Sequence, residues 1–105
     1  MKDIDENTYS LRKWKAEVYS KAVAKWGMPL QIIMGIEELS ELTKELTKYL
    51  RNNARSRESL IEEIADVSIM LEQLINMFDC MDEFVIKKCE KFTRLYQLVK
   101  REGSI

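Results

Sequence analysis

The chain is 105 residues long, 46% hydrophobic and 33% charged, with 17 Lys+Arg against 18 Asp+Glu. That is the size of one domain, read here as a single unit over residues 1–105, and the composition fits neither a disordered chain nor a membrane-embedded one. Three Gly and one Pro cannot supply the turns of an all-β sandwich, a formal net charge of −1 speaks against a strongly basic nucleic-acid binder, and the lack of His excludes a His-based triad or a His-ligated zinc. Chemistry is left to carboxylates, amines, hydroxyls or a metal held by oxygen.

Four helical segments are expected in chain order. The first runs from about Thr8 to Ala24, after an acidic start that lacks the apolar run of a signal peptide. Leu11, Trp14, Val18 and Ala22 recur at helical spacing and predict its buried face. Trp26-Gly27-Met28-Pro29 is the break, with Gly suited to a helix end and Pro to a first turn. The second helix is predicted from Pro29 to Leu50, with Ile32, Ile36, Leu39, Leu46 and Leu50 along one stripe and Leu42 at its edge. The polar run Arg51–Arg57 reads as a connection. The third helix is expected to start at Ser56 or Ser59, where Ser59 and Glu62 fit a capping box. Leu60, Ile64, Val67, Leu71, Leu74 and Phe78 form its seam. Asp79-Cys80-Met81 reads as a short turn and Asp82 as an N-cap. The fourth helix is predicted from Glu83 to Lys100, with Val85, Cys89, Phe92, Tyr96 and Val99 on one side, and Arg101–Ile105 frayed. Short connections favour antiparallel neighbours, so the expected fold class is an all-α, four-helix bundle. Cys80 and Cys89 form no disulfide framework, no segment has the ~18 apolar residues of a membrane span, and a cytoplasmic location is the default.

The two central helices carry the chemistry. Glu37-Glu38-Leu39-Ser40-Glu41 lies on the second and Glu62-Glu63-Ile64-Ala65-Asp66 on the third. Residues three apart share a helix face, so Glu38 pairs with Glu41, and Glu63 with Asp66. Both pairs flank apolar stripes and can meet at the edge of the seam between antiparallel helices. Four carboxylates there repel one another and lose hydration. The interleaved residues are Leu, Ser, Ile and Ala, so no cation from the chain offsets this. A hard divalent ion does: oxygen-only ligation selects Mg²⁺, or Mn²⁺ in its place, and Mg²⁺ sites commonly share their sphere with substrate phosphates. The bland alternative is two solvated acidic helix faces. A carboxylate-bridged di-iron bundle would need Glu-x-x-His and is excluded by the missing His.

Glu37-Glu38-x-x-Glu41, then 21 residues, then Glu63-x-x-Asp66, resembles the EExxE…ExxD motif of MazG-like nucleotide pyrophosphohydrolases, within the all-α NTP pyrophosphatase superfamily. Trp26-Gly27, Gln31, Leu39, Leu42, Ile64 and Val67 also read like family sequence, and the resemblance covers about Trp26 to Arg94. It implies a Mg²⁺-dependent enzyme that cleaves a nucleoside triphosphate between the α and β phosphates. Carried over, Glu38, Glu41, Glu63 and Asp66 hold the metal, and Glu38 also orients or deprotonates the attacking water. Glu37 has a supporting role. Asn76 resembles an asparagine that contacts sugar or base, and Lys88, Lys91 and Arg94 resemble basic residues that meet the phosphates, although the turn before them is about one residue shorter than usual. Trp14 and Trp26 could stack on a base, but at helical spacing core is the expected role for both. The resemblance further implies a homodimer or a homotetramer, with sites completed by the partner's fourth helix. Apolar residues on more than one face, including Met28, Ile33, Met34, Ile69, Met70 and Met77, point the same way. No membrane or nucleic-acid partner is expected. The alternative is a non-catalytic helical adaptor that retains the fold.

Overall fold

The computed structural model describes residues 2–51 and 57–101, with the side chains of the first helix from residue 7 onward. Four helices, α1 (Lys2–Trp26), α2 (Met28–Arg51), α3 (Arg57–Met77) and α4 (Met81–Arg101), make an all-α bundle with no strand among the described residues. None of these helices is long and apolar enough to cross a membrane.

Local chemistry sets the junctions. Gly27 has a φ of 85° and closes α1 through its N–H, which donates to the Val23 carbonyl at 2.8 Å. Its own carbonyl accepts from Gln31 N–H at 3.2 Å and so opens α2, with Pro29 in the first turn where no N–H is needed. The turn after α3 is a Schellman motif: Cys80 N–H donates to the Ile75 carbonyl and Asp79 N–H to the Asn76 carbonyl, both at 3.2 Å. Asp79 takes the left-handed position with a φ of 49°. The turn is tight enough that α4 begins at Met81, ahead of the expected Glu83. Phe84 N–H donates to the Cys80 carbonyl at 2.8 Å, so Cys80 holds the cap position and Asp82 lies inside the first turn. At the other end of the chain, α1 begins at Lys2 rather than near Thr8, because an acidic stretch suits the partial positive charge of a helix N-terminus. Helix α3 is already running at Arg57, so Ser59 lies within it rather than at the expected cap position; the Ser56 start and most of the polar connection, Arg55 included, fall outside the described residues.

The seam between α2 and α3 departs from the apolar stripes. On α2 it follows Gln31, Gly35, Glu38 and Leu42; on α3 it follows Leu60, Glu63, Val67, Met70 and Gln73. Val67 and Met70 are the buried hydrophobic residues, and Gln31 and Gln73 are the buried polar ones. Ile36, Leu39, Leu46 and Leu50, the predicted core of α2, are exposed, Leu50 at 83%. Ile64, Leu71 and Phe78 on α3 are exposed as well. The face that turns inward instead carries Gly35, which is buried with the Met70 methyl seated over it. Across this hairpin lies α1, tied to α3 by Glu72, which accepts from Tyr19 Oη at 2.8 Å and pairs with Lys15 Nζ at 3.3 Å. Burial, and then Glu72, push the Tyr19 hydroxyl up to about 12, so it stays a donor at any ordinary pH. Leu11, Trp14, Val18 and Trp26 are exposed, contrary to the core role expected of them, and Lys25 Nζ stands 5.0 Å from the Trp26 ring centre. Among the described residues α4 touches α3 alone and buries nothing, so the bundle has three packed helices and one that stands off.

A methyl group added at Gly35 would meet the Met70 methyl at 3.6 Å, an ordinary contact. Gly35→Ala is therefore expected to stabilise the chain by about 1 kcal/mol through helix propensity, measured by urea unfolding, whereas Gly35→Leu should destabilise it by overfilling the seam.

Candidate functional site

Each half of the carboxylate site is built by one helix turn. Glu38 follows Gly35 by three residues on the close-packed face of α2; Glu63 and Asp66 sit one turn apart on α3, with Glu63 in the seam beside Val67. The antiparallel pairing brings Glu38, Glu63 and Asp66 together, with one carboxylate oxygen from each lying within 4.8 Å of the others. Glu38 and Glu63 are half-buried and Asp66 is exposed. The cluster thus lies in the seam itself, deeper than an edge position, with one side open to solvent. Glu41 is exposed and falls outside this group of three, though its charge still acts on Glu38 and Glu63. Ser40, between Glu38 and Glu41, turns away from the acids and donates to the Ile36 carbonyl at 2.9 Å.

The electrostatics are unfavourable without a cation. Loss of hydration in the seam raises the Glu38 carboxyl above its ordinary value, and Asp66, Glu41 and Glu37 raise it further, Asp66 also because it can accept a hydrogen bond from the protonated carboxyl. Loss of hydration raises Glu63 as well, followed by Asp66, Glu38, Glu41 and Glu45. One Glu63 oxygen, Oε2, is buried with no hydrogen-bond partner. A carboxylate lone pair left empty beside two other carboxylates is what a hard cation fills, so the donor set fits Mg²⁺ or Mn²⁺.

The remaining residues expected at the site lie elsewhere. Asn76 is half-buried ten residues beyond Asp66, about 15 Å along the helix axis, and its Nδ2 donates to Ser20 Oγ of α1 at 3.4 Å. Lys88, Lys91 and Arg94 are exposed on α4, with Lys88 Nζ 5.6 Å from the Phe84 ring centre. No cation is among the charges that act on Glu38 or Glu63, so within the single chain these basic residues do not offset the carboxylates. Gln31 and Gln73 were not expected in the core: Gln73 Nε2 donates to Gln31 Oε1 inside the α2–α3 seam. Their equal spacing from the motif acids was the sequence signal that could have found them. Cys80 and Cys89 are free thiols. No family model, curated protein or solved structure matches the chain.

The raised carboxyls fix a sign for the pH dependence. The folded chain binds these protons more tightly than the unfolded one, so the stabilising contribution is fully present below the ordinary value of 4.5 and is lost as pH rises through the raised values. Metal-free protein is expected to melt at a higher temperature at pH 5 than at pH 7. Glu63→Gln should flatten that slope, and millimolar Mg²⁺ at pH 7 should restore the melting temperature, all read by circular dichroism.

Proposed function

We propose that this chain is a Mg²⁺-dependent nucleoside triphosphate pyrophosphohydrolase of the MazG-like class. The observation that carries the reading is the meeting of Glu38, Glu63 and Asp66 within 4.8 Å, with Glu63 Oε2 buried and unpartnered. These three would hold the metal, with Glu41 one turn away from Glu38. Bound Mg²⁺ would offset the negative charge of the triphosphate and of the transition state. Glu38 would also orient or deprotonate the attacking water. The water oxygen bonds to phosphorus, the bridge between the α and β phosphates breaks, and the products are the monophosphate and pyrophosphate. Such an activity would regulate or clean a nucleotide pool in the cytoplasm. In an assembly of copies Lys88, Lys91 and Arg94 would supply charge for the phosphates, and Asn76 would contact sugar or base in place of its bond to Ser20.

The surface supports a homo-oligomer. The chain exposes 8902 Å². A compact monomer of 12.4 kDa exposes about 6,100 Å². The excess, about 2,800 Å² per chain, matches the scale of an obligate interface between copies. The radius of gyration, 17.4 Å, also exceeds the roughly 13 Å of a compact domain of this length. The exposed stripes of α2, α3 and α4 are the surfaces a second copy would cover, and through it the basic residues of α4 reach a carboxylate site. Light scattering at micromolar concentration is expected to give a dimer or tetramer mass; a monomer mass would remove this part of the proposal.

The activity is tested by incubating the protein with a panel of NTPs and dNTPs, with Mg²⁺ present or chelated. Monophosphate plus pyrophosphate, formed only with Mg²⁺, is the expected result. Glu41→Gln and Asp66→Asn should each lower turnover roughly 100-fold or more while the helical circular dichroism is kept. Diphosphate plus phosphate would mean a different bond is cleaved. Neither turnover nor Mg²⁺ binding would favour the helical adaptor, whose exposed apolar stripes serve pairing alone.

A further inference from the structure

Gln31 and Gln73 are the two buried polar side chains of the described core, and they bond to each other across the α2–α3 seam. Gln31 lies seven residues before Glu38, and Gln73 lies seven residues after Asp66. Seven residues are two helical turns, so on each helix the glutamine and the acid share a face about 10 Å apart. Because the helices run antiparallel, one register satisfies both meetings at once: Gln31 with Gln73, and Glu38 with Asp66. Between them Met70 sits over Gly35.

We infer that the Gln31–Gln73 hydrogen bond is a register lock that positions the Glu38, Glu63 and Asp66 carboxylates, which makes the two glutamines positioning residues of the site. The functional side of this rests on the reading of that cluster as a cation site. Val67, Met70 and Leu42 are apolar and tolerate sliding along a partner helix; a glycine tolerates it even better. The acids oppose close approach, so they cannot set the register themselves. A buried amide cannot slide, because a slip by one turn leaves its donor and acceptor dry and unpaired. The same slip of about 5 Å would carry Asp66 out of the 4.8 Å span that the three carboxylates now share. Gln31 Nε2 also lies 3.7 Å from Met34 Sδ on its own helix, a contact that helps hold the amide turned with its oxygen toward Gln73. The lock therefore works against the repulsion of the site it aligns.

The test separates stability from register. Gln31→Met and Gln73→Met singly should lower the melting temperature, since each strands one buried amide. The double variant removes both amides and should recover the melting temperature of the wild type. It should nevertheless bind Mn²⁺ at least tenfold more weakly, read by electron paramagnetic resonance of the free ion. Spin labels at Thr43 and Ile61, with Cys80 and Cys89 replaced by Ser and labelled chains diluted into unlabelled ones, should give a broader distance distribution in the double variant. Gln31→Glu keeps an acceptor for the Gln73 amide and should retain the narrow distribution, which decides the matter if the double variant does not fold. A double variant with wild-type Mn²⁺ affinity and a narrow distribution would overturn the lock. If wild-type protein binds no Mn²⁺, the cation site falls, and the distance distributions alone then uphold or overturn the lock.

Discussion

Two antiparallel helices meet here through groups that water would otherwise solvate. The α2–α3 seam is lined by two glutamines, a glycine and two glutamates as well as by Val67 and Met70. Gly35 is buried under Met70, the Gln31–Gln73 bond satisfies amides that the seam buries, and the carboxylates accumulate two turns further along. Everything else in the chain is arranged around this polar seam. Helix α1 braces it through Glu72, which ties Lys15 and Tyr19 to α3. The ridge of the fourth is free to act elsewhere.

A seam of this kind is a poor source of folding energy. Hydrophobic burial is the main favourable term in folding, and this chain buries few of its large apolar side chains on its own. Clustered carboxylates subtract further, because each has lost hydration and faces like charges. Two external contributions would offset the deficit: a cation among the acids, and a second copy over the apolar stripes. Both would answer the same feature: a helix pair that turns its polar face inward leaves its apolar stripes exposed. On the proposed reading, site and assembly would be coupled through the choice of which face of α2 meets α3.

Helix α4 shows the same logic. It is amphipathic, with Val85, Phe92, Leu95, Tyr96 and Val99 along one side, yet it buries none of them. The Schellman turn at Asp79 gives it a defined departure from α3, so its direction is set by backbone hydrogen bonds while its apolar side is left uncovered.

Most of the secondary structure was legible in the sequence, because helix breaks are local chemistry. Gly27 and Pro29 marked one junction and the Asp79 region another, each within a few residues. The ends that moved are at Lys2 and Met81; at Met81 the tight turn puts Cys80 at the cap in place of Asp82. The carboxylate pairs were legible too, since a three-residue spacing puts both acids on one face whatever lies opposite. Periodicity could not say which face of α2 turns inward. It ranks residues by apolarity, and so it selected Ile36, Leu39 and Leu46, while the folded chain turns Gln31, Gly35 and Glu38 inward. Only the tertiary structure decided that Glu38 joins Glu63 and Asp66 while Glu41 stays outside, that Asn76 bonds to Ser20 on α1, and that the tryptophans lie on the surface. The sequence by itself determined the helices and the acids they carry, because those depend on neighbours along the chain. The pairing of faces and the register depend on contacts between residues some thirty to forty positions apart, such as Gln31 with Gln73, and no local spacing encodes them.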